Sequence, residues 1–319
     1  MEIISLASGS SGNCYLIKQG KDVLMIEAGL SKKKLKESLW DNNILVADIE
    51  TCLISHHHQD HIKSAKFLSN HGVTIILPKT DRKAPLKHPT RKDRVCYLEG
   101  GKIYKNKHFV VRGMELEHNG TYNLGYLVKH IQSKEQLFYA TDTMYIRYKA
   151  NNINYYLIEV NYQKKYLEEA IKDGIAERAN TRRVRKTHMS LETAIEFFKQ
   201  QDLSKTKEIW LLHLSERNCN PDEVKEEIQK VTGVEVYLAW INYLIYWLTG
   251  YYYYDIIIYR NEVFYLINIK KLRKEKGLSQ MKLAAETGVS LTTIRNWEYG
   301  TSEPNEENRE KLKKVLDFK

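Results

Sequence analysis

Apolar positions in the first three quarters of the chain come in short runs, each closed by a small or polar cluster. Residues 2–7, 14–18, 23–26, 51–54 and 73–77 read as strands, and so do 109–112, 114–117, 137–141, 155–162 and 209–212. Helical spacing sets in between them, over Ser31 to Trp40, Ile62 to Leu68, the stretch around Tyr166, Leu167, Ala170 and Ile171, and Ser190 to Gln200. Ser31 and Ser190 are the expected caps, and Ala194, Ile195 and Phe198 share the inward face of the last helix. Short strands alternating with helices, twice over, out to Val236 predict an α/β domain of two packed sheets with helices on both outer faces.

The pattern then changes twice. From Tyr237 to Tyr259 the chain is almost uncharged and dominated by tyrosine. It is long enough to cross a bilayer, which takes roughly 20 apolar residues. Asn242, Gly250 and Asp255 interrupt it, however, and tyrosine favours the interface over the hydrocarbon centre. Membrane insertion is therefore disfavoured against packing on the first domain or self-association into a homodimer. From Ile267 onward the spacing is helical and compact. Ile269 to Gly277 is a helix and its stop, and Leu278-Ser279-Gln280 opens a second. Thr287-Gly288-Val289 is a turn, Ser290 caps a third helix from Leu291 to Glu298, and Glu306 to Leu316 is a fourth. That is helix-turn-helix spacing. The expected division is 1–238, a joining segment 239–266, and a small all-α domain 267–319.

Composition adds two constraints. A formal charge of +10 over 319 residues favours polyanionic partners. The four cysteines, Cys14, Cys52, Cys96 and Cys219, lie far apart with no Cys-x-x-Cys, and no basic-then-apolar leader opens the chain. A reducing, cytoplasmic setting is expected.

The densest chemistry lies in Ser55-His56-His57-His58-Gln59-Asp60-His61, directly after the apolar run that ends at Ile54. Positions two apart in an extended chain point the same way, so His56 and His58 face one side and His57 turns away. Neutral imidazoles with a carboxylate suit zinc and its first-row neighbours. Three later strands each deliver one polar residue at their end: His118, Asp142 and His213. A rigid sheet presents ligands to one cleft in this way. Two basic stretches accompany them. Lys79 to Arg94 is either a phosphate contact or a solvated loop. Arg178, Arg182, Arg183, Arg185 and Lys186 precede His188 and either grip a phosphate backbone or form an exposed linker.

His56-x-His58-x-Asp60-His61 resembles the signature of metallo-β-lactamase-fold metallohydrolases. Ser5 to Cys14 and His213-Leu214-Ser215-Glu216-Arg217-Asn218 narrow the resemblance to the YycJ/WalJ-like branch, whose members act as nucleases or phosphodiesterases. It covers roughly residues 1 to 238 and implies an αββα four-layer sandwich. It also implies a two-metal centre: one divalent ion on His56, His58 and His118, the other on Asp60, His61 and His213, with Asp142 as bridge. Zinc is the expected metal and manganese the alternative. The family usually has Asp where this chain has Glu27, a carboxylate that orients a ligand from behind. The resemblance further sets Glu159 and Asn161 near the cleft, and His188 beside substrate phosphate or leaving group. The implied reaction is phosphodiester hydrolysis in DNA by a metal-activated hydroxide, with Asp60 and His188 as catalytic residues. The alternatives are hydrolysis of a small ester, lactone or thioester, and a non-catalytic transcriptional regulator. The last 53 residues resemble the Cro/phage-repressor helix-turn-helix family. That implies DNA contacts from Gln280, Ser290, Thr292, Thr293, Arg295 and Asn296.

Overall fold

The computed structural model describes residues 1–79, 91–118, 120–172, 178–215, 218–239, 256–259, 262–265, 269, 272–273, 276–298 and 304–316. The chain forms two compact units, Met1–Tyr243 and Leu244–Lys319.

Two sheets build the first unit. One runs in chain order, β1 (Glu2–Ala7), β2 (Cys14–Gln19), β3 (Asp22–Ile26), β4 (Ile49–Leu53), β5 (Thr74–Pro78) and β6 (Val95–Leu98). Its first two pairings are antiparallel and the rest parallel. The other comprises β7 (Ile103–Lys105), β8 (Phe109–His118), β9 (Thr121–His130), β10 (Gln136–Ala140), β11 (Tyr155–Glu159), β12 (Glu208–Leu212) and β13 (Glu235–Leu238), also neighbours in sequence order. It is antiparallel up to β10 and parallel beyond.

Alternation along the strands sorts their side chains into three cores. Tyr15, Ile17, Leu24, Ile26, Leu137, Tyr139 and Leu157 fill the space between the sheets. Their neighbours Leu16 and Met25 face outward instead, onto Leu35 and Leu39 of α1 (Lys32–Asp41) and Ala65 and Leu68 of α3 (Ala65–Asn70). Phe138, Tyr156, Ile158, Ile209 and Leu211 meet Ala194, Phe197 and Phe198 of α6 (Leu191–Lys199) and Val224 and Ile228 of α7 (Pro221–Thr232). Strands buried on both faces read as unbroken apolar runs. Each fully buried Leu or Ile contributes roughly 1.5–3 kcal/mol. The result is the αββα order. The remaining helices are α2 (Gln59–Ile62), α4 (Lys164–Lys172) and α5 (Arg178–Thr187). Ser31 and Ser190 cap α1 and α6, each accepting a backbone N–H.

The structure departs from the sequence reading in a few elements. The predicted strands 109–112 and 114–117 are one strand, β8. Gly113 sits within it because a Cβ there would lie 3.0 Å from the Glu99 carbonyl, so it permits a close approach rather than marking a break. The arginine run is the helix α5. Strands β6, β7, β9 and β13 and helix α7 were not anticipated.

In the second unit β14 (Ile256–Tyr259) pairs antiparallel with β15 (Glu262–Tyr265). Most of the tyrosine-rich segment and the stretch 80–90 lie outside the described residues. Among the described residues no helix is long and apolar enough to cross a membrane. Of the predicted first helix, Ile269, Leu272 and Arg273 are described and helical. Then follow α8 (Gln280–Thr287), α9 (Leu291–Glu298) and α10 (Glu306–Leu316). Ser279 caps α8, which ends at Gly288 in left-handed backbone (φ 70°), a conformation cheap for glycine. Ile269, Leu283, Ala284, Ile294, Trp297, Leu312 and Leu316 form a core of this unit's own.

Candidate metal centre

Three strands of the first unit end in the same unusual way. After β3 comes Glu27 (φ 62°), after β10 comes Asp142 (φ 50°), and after β12 comes His213 (φ 55°). Left-handed backbone is costly for residues with a Cβ and persists where surrounding structure enforces it, most often at functional sites. All three side chains are buried, Glu27 and Asp142 being carboxylates at 0% and 2% exposure. A fourth strand end, that of β4, leads into the histidine-rich stretch, and β8 ends on His118 itself.

These side chains converge. His56 Nε2 lies 2.8 Å from His58 Nδ1, and the His118 ring is 4.9 and 5.2 Å from theirs. Donor atoms of these three histidines all lie within 4.8 Å of one another. The same holds for His56, His61 and Asp142, and for Asp142, Glu159, His188 and His213. His57 belongs to none of these groups. Asp142 joins them: its Oδ2 is 2.8 Å from His61 Nε2 and 3.4 Å from His56 Nε2. Its Oδ1 is 3.2 Å from His213 Nδ1 and 3.4 Å from His188 Nδ1. Asp60, half-exposed at the rim, places Oδ2 3.4 Å from His61 Nε2. His213 thus stands with Asp142, Glu159 and His188, and is linked to His61 through Asp142.

Supporting contacts fix the orientations. The Glu27 carboxylate accepts the Ser55 N–H (3.2 Å) and the Tyr139 hydroxyl (2.8 Å), and its Oε2 lies 3.3 Å from His61 Nδ1. The longer side chain, where Asp was the norm, still reaches all three. His118 Nδ1 faces the Thr187 carbonyl at 3.2 Å; a carbonyl only accepts, so Nδ1 carries the proton and Nε2 keeps its lone pair. Glu159 sets Oε1 2.6 Å from His188 Nδ1 and 2.9 Å from His213 Nδ1, while Oε2 accepts the Thr143 N–H at 3.0 Å. The Ser8–Asn13 loop lies alongside. Ser8 Oγ accepts the His213 N–H, Asn13 N–H donates to the Asp60 carbonyl, and Asn13 Nδ2 is 3.2 Å from His61 Nε2. Gly29 lets these segments close up, for a Cβ there would stand 1.7 Å from the Asp60 carbonyl oxygen.

The electrostatics follow from burial and these contacts. Burial pushes His56 well below the usual imidazole range and lowers His118. Burial would lower His61 too, but Glu27 and Asp142 outweigh it and hold it well above. His188, likewise opposed by burial, is pushed up to about 10 by Glu159 and Asp142. Burial would raise Asp142, yet His213 and His61 keep it well below the carboxylate range. The cluster therefore holds ionised carboxylates among imidazoles, the donor set that takes up a divalent cation as protons leave.

Glu159 was placed near the cleft by the resemblance alone, and the supporting contacts of Ser8, Asn13, Ser55 and Tyr139 were not anticipated. The signal for Glu159 was a carboxylate inside the otherwise apolar Tyr155–Val160. On α5 the side chains of Arg182, Arg183, Arg185 and Lys186 are exposed. In the second unit Ser290, Thr292, Arg295 and Asn296 are exposed, and Gln280 and Thr293 half-buried. Ser290 Oγ accepts the Thr293 N–H and lies 2.7 Å from Thr293 Oγ1, so both hydroxyls take part in capping α9.

Comparison with known proteins agrees with this geometry. Residues 7–127 match the metallo-beta-lactamase superfamily and residues 269–319 a helix-turn-helix family. The chain is 29% identical to exodeoxyribonuclease WalJ of Streptococcus pneumoniae over 231 residues, covering 67% of this chain and 81% of that one. It is 34% identical over 64 residues to exodeoxyribonuclease YycJ of Bacillus anthracis, 20% of this chain and 24% of that one. Its fold is similar to that of the metallo-beta-lactamase fold protein YhfI from Bacillus subtilis (TM-score 0.54, 16% identity, 74% of this chain and 95% of that one). It is also similar to yeast PDE1 (TM-score 0.53, 11% identity, 74% and 96%).

Proposed function

From a chain that carries a metallo-β-lactamase domain followed by a helix-turn-helix domain, we propose a metal-dependent phosphodiesterase that degrades DNA. The observation that carries this reading is the convergence of His56, His58, Asp60, His61, His118, Asp142 and His213 on one pocket from four strand ends. The donor set fits divalent cations. Asp142 Oδ1 and His213 Nε2 are buried without a hydrogen-bond partner, which a bound ion would remedy. His56, His58 and His118 would hold one ion, and Asp60, His61 and His213 the other, with Asp142 shared between the two sets. Zinc fits the imidazole-rich set and manganese the carboxylates. Bound ions would supply Lewis acidity at the phosphoryl oxygens and a more acidic water.

The chain's own residues then have distinct tasks. Glu27 turns His61 and Thr187 turns His118, so each keeps one nitrogen for the pocket. Asp60 lies at the open rim, where a phosphate would enter. His188, held by Glu159, offers a proton or a charge to the phosphate or the leaving oxygen. The exposed cations of α5, whose last residue touches His118, would grip the adjacent backbone phosphates. The helix-turn-helix unit would read duplex DNA through α9, with Arg295, Asn296 and Thr292 at base edges and Gln280, Ser290 and Thr293 beside them. The WalJ and YycJ names support the choice of DNA.

The test is direct. Protein loaded with zinc or manganese is incubated with labelled linear DNA, single- and double-stranded, and in parallel with small esters and lactones. We expect nucleotide release that His58→Ala abolishes, and bound metal falling from about two equivalents per chain in the same variant. Turnover of esters or lactones with intact DNA would replace the DNA reading. Failure to bind metal or turn over any substrate would leave a DNA-binding regulator.

A further inference from the structure

The segment that leaves Asp142 toward β11 has a regular two-sided pattern. Ile146, Tyr148 and Ala150 pack inward, against the core formed by β10, β11 and α6. Tyr145, Arg147 and Lys149, the residues between them, face solvent. Tyr145 is 37% exposed, unusual for a large ring this close to a buried cluster. It is nonetheless held at both ends. Its hydroxyl donates to Glu117 Oε1 at 2.9 Å, and Glu117 directly precedes His118. Its carbonyl accepts the Thr143 hydroxyl at 2.9 Å, and the Thr143 N–H is bound by Glu159. The ring is therefore fixed to residues adjoining Asp142, His118 and Glu159 while the residue stays partly open to water. Nothing in the chemistry proposed above uses it.

We propose that Tyr145 is a substrate-binding residue, a stacking platform for an unpaired base next to the phosphate held in the pocket. This rests on the DNA reading above and adds to it the contact that holds the base. Any base presents a π-face, so an aromatic side chain captures a single strand without reading its sequence. Charge does not explain the segment equally well. Arg147, one of the strip's two cations beside Lys149, lies 3.9 Å from Glu115 and sits over the Tyr148 ring. What the strip adds to the pocket is a flat apolar face, and the attraction for phosphate comes from α5.

The experiment compares the full-length, metal-loaded protein with Tyr145→Ala and Tyr145→Phe. The substrates are a single-stranded oligonucleotide, the same oligonucleotide with an abasic terminal nucleotide, and a wholly abasic sugar–phosphate oligomer as the baseless diester. Loss of one stacked base should raise KM for the intact oligonucleotide about tenfold in Tyr145→Ala with little change in kcat. Tyr145→Phe, which keeps the ring and loses only the tether to Glu117, should stay close to the unaltered protein. On the abasic oligonucleotide the unaltered protein should already show the raised KM, and Tyr145→Ala should add nothing to it. Turnover of the baseless diester should be the same in all three, which also shows that the alanine variant is folded. Equal KM values for all three proteins on the intact oligonucleotide would overturn the inference alone. So would an equal loss on the baseless diester. Absence of oligonucleotide cleavage by the unaltered protein would overturn both this inference and the nuclease reading.

Discussion

Glu27, Asp142 and His213 show how much of the pocket is decided one residue at a time. Each follows an apolar strand and each adopts a backbone conformation that a side chain resists. The sequence announces such positions because a lone polar residue after a run of buried ones is conspicuous. Glu159 was legible only through the family resemblance, for the opposite reason. It lies inside its strand, and its tie to His188 and His213 exists only once β11, β12 and the α5–α6 junction are folded together. Glu27→Gln keeps size but leaves His61 Nδ1 without its carboxylate. Changes of this kind cost 10–100-fold in metal affinity, so a chelator competition titration should show a loss in that range. A change at most twofold would mean that Glu27 does not orient His61. A second residue-scale prediction concerns Glu135, away from the pocket. Burial opposes its ionisation, but Lys207, the Met1 amino group and Tyr155 outweigh it and hold the carboxyl down at about 2. A depressed carboxylate stabilises the fold fully above its ordinary value of about 4.3 and loses that contribution as pH falls through about 2. The melting difference between Glu135→Gln and the unaltered protein should therefore be constant above about pH 5 and close between there and pH 2. A gap that persists at pH 2 would trace the loss to shape rather than charge.

At the scale of elements, periodicity located most strands and helices of the first unit, and capping serines located the starts of α1, α6 and α9. Hairpin partners were harder. β9 is amphipathic only in part, because it faces a core on one side and a rim on the other. His118 and Thr121 pair at the end of its hairpin with β8. The edge strands β6 and β7 carry exposed Tyr97 and Ile103 and so lack the apolar density that marks a buried strand. Glycine at an element junction proved more telling than glycine inside a strand. At Gly29 an added methyl would collide with the Asp60 carbonyl and approach Asn13 N within 2.6 Å, both backbone atoms that cannot swing aside. Overpacking of this kind costs roughly 1–3 kcal/mol. Gly29→Ala should lower the melting temperature of the first unit and weaken its hold on metal together. An unchanged melting temperature would show that the two loops part more readily than their hydrogen bonds suggest.

For the whole molecule, the sequence revealed two bodies of different character because both periodicity and charge change near residue 237. It could not place the boundary closely, since the tyrosine-rich stretch between them follows neither pattern; the compact units meet at Tyr243 and Leu244. The helical unit closes a core of its own from residues 269–316. Calorimetry of the full chain should accordingly resolve two transitions. Chelation should shift the one that belongs to the first unit by several degrees, as expected when a ligand in large excess over its dissociation constant is withdrawn. Ser290→Ala, which removes the α9 cap, should shift only the other, by about 1 kcal/mol. A single transition that moves with both perturbations would refute this independence. The pocket itself draws its donors from both sheets: His56, His58, Asp60 and His61 follow β4 of one, and His118, Asp142 and His213 terminate strands of the other. In mechanical terms the cations would act as rivets through two plates. Anything that lets one plate slip on the other, such as trimming Tyr126 or Leu157 deep between them, should show first as leaking metal and only later as unfolding.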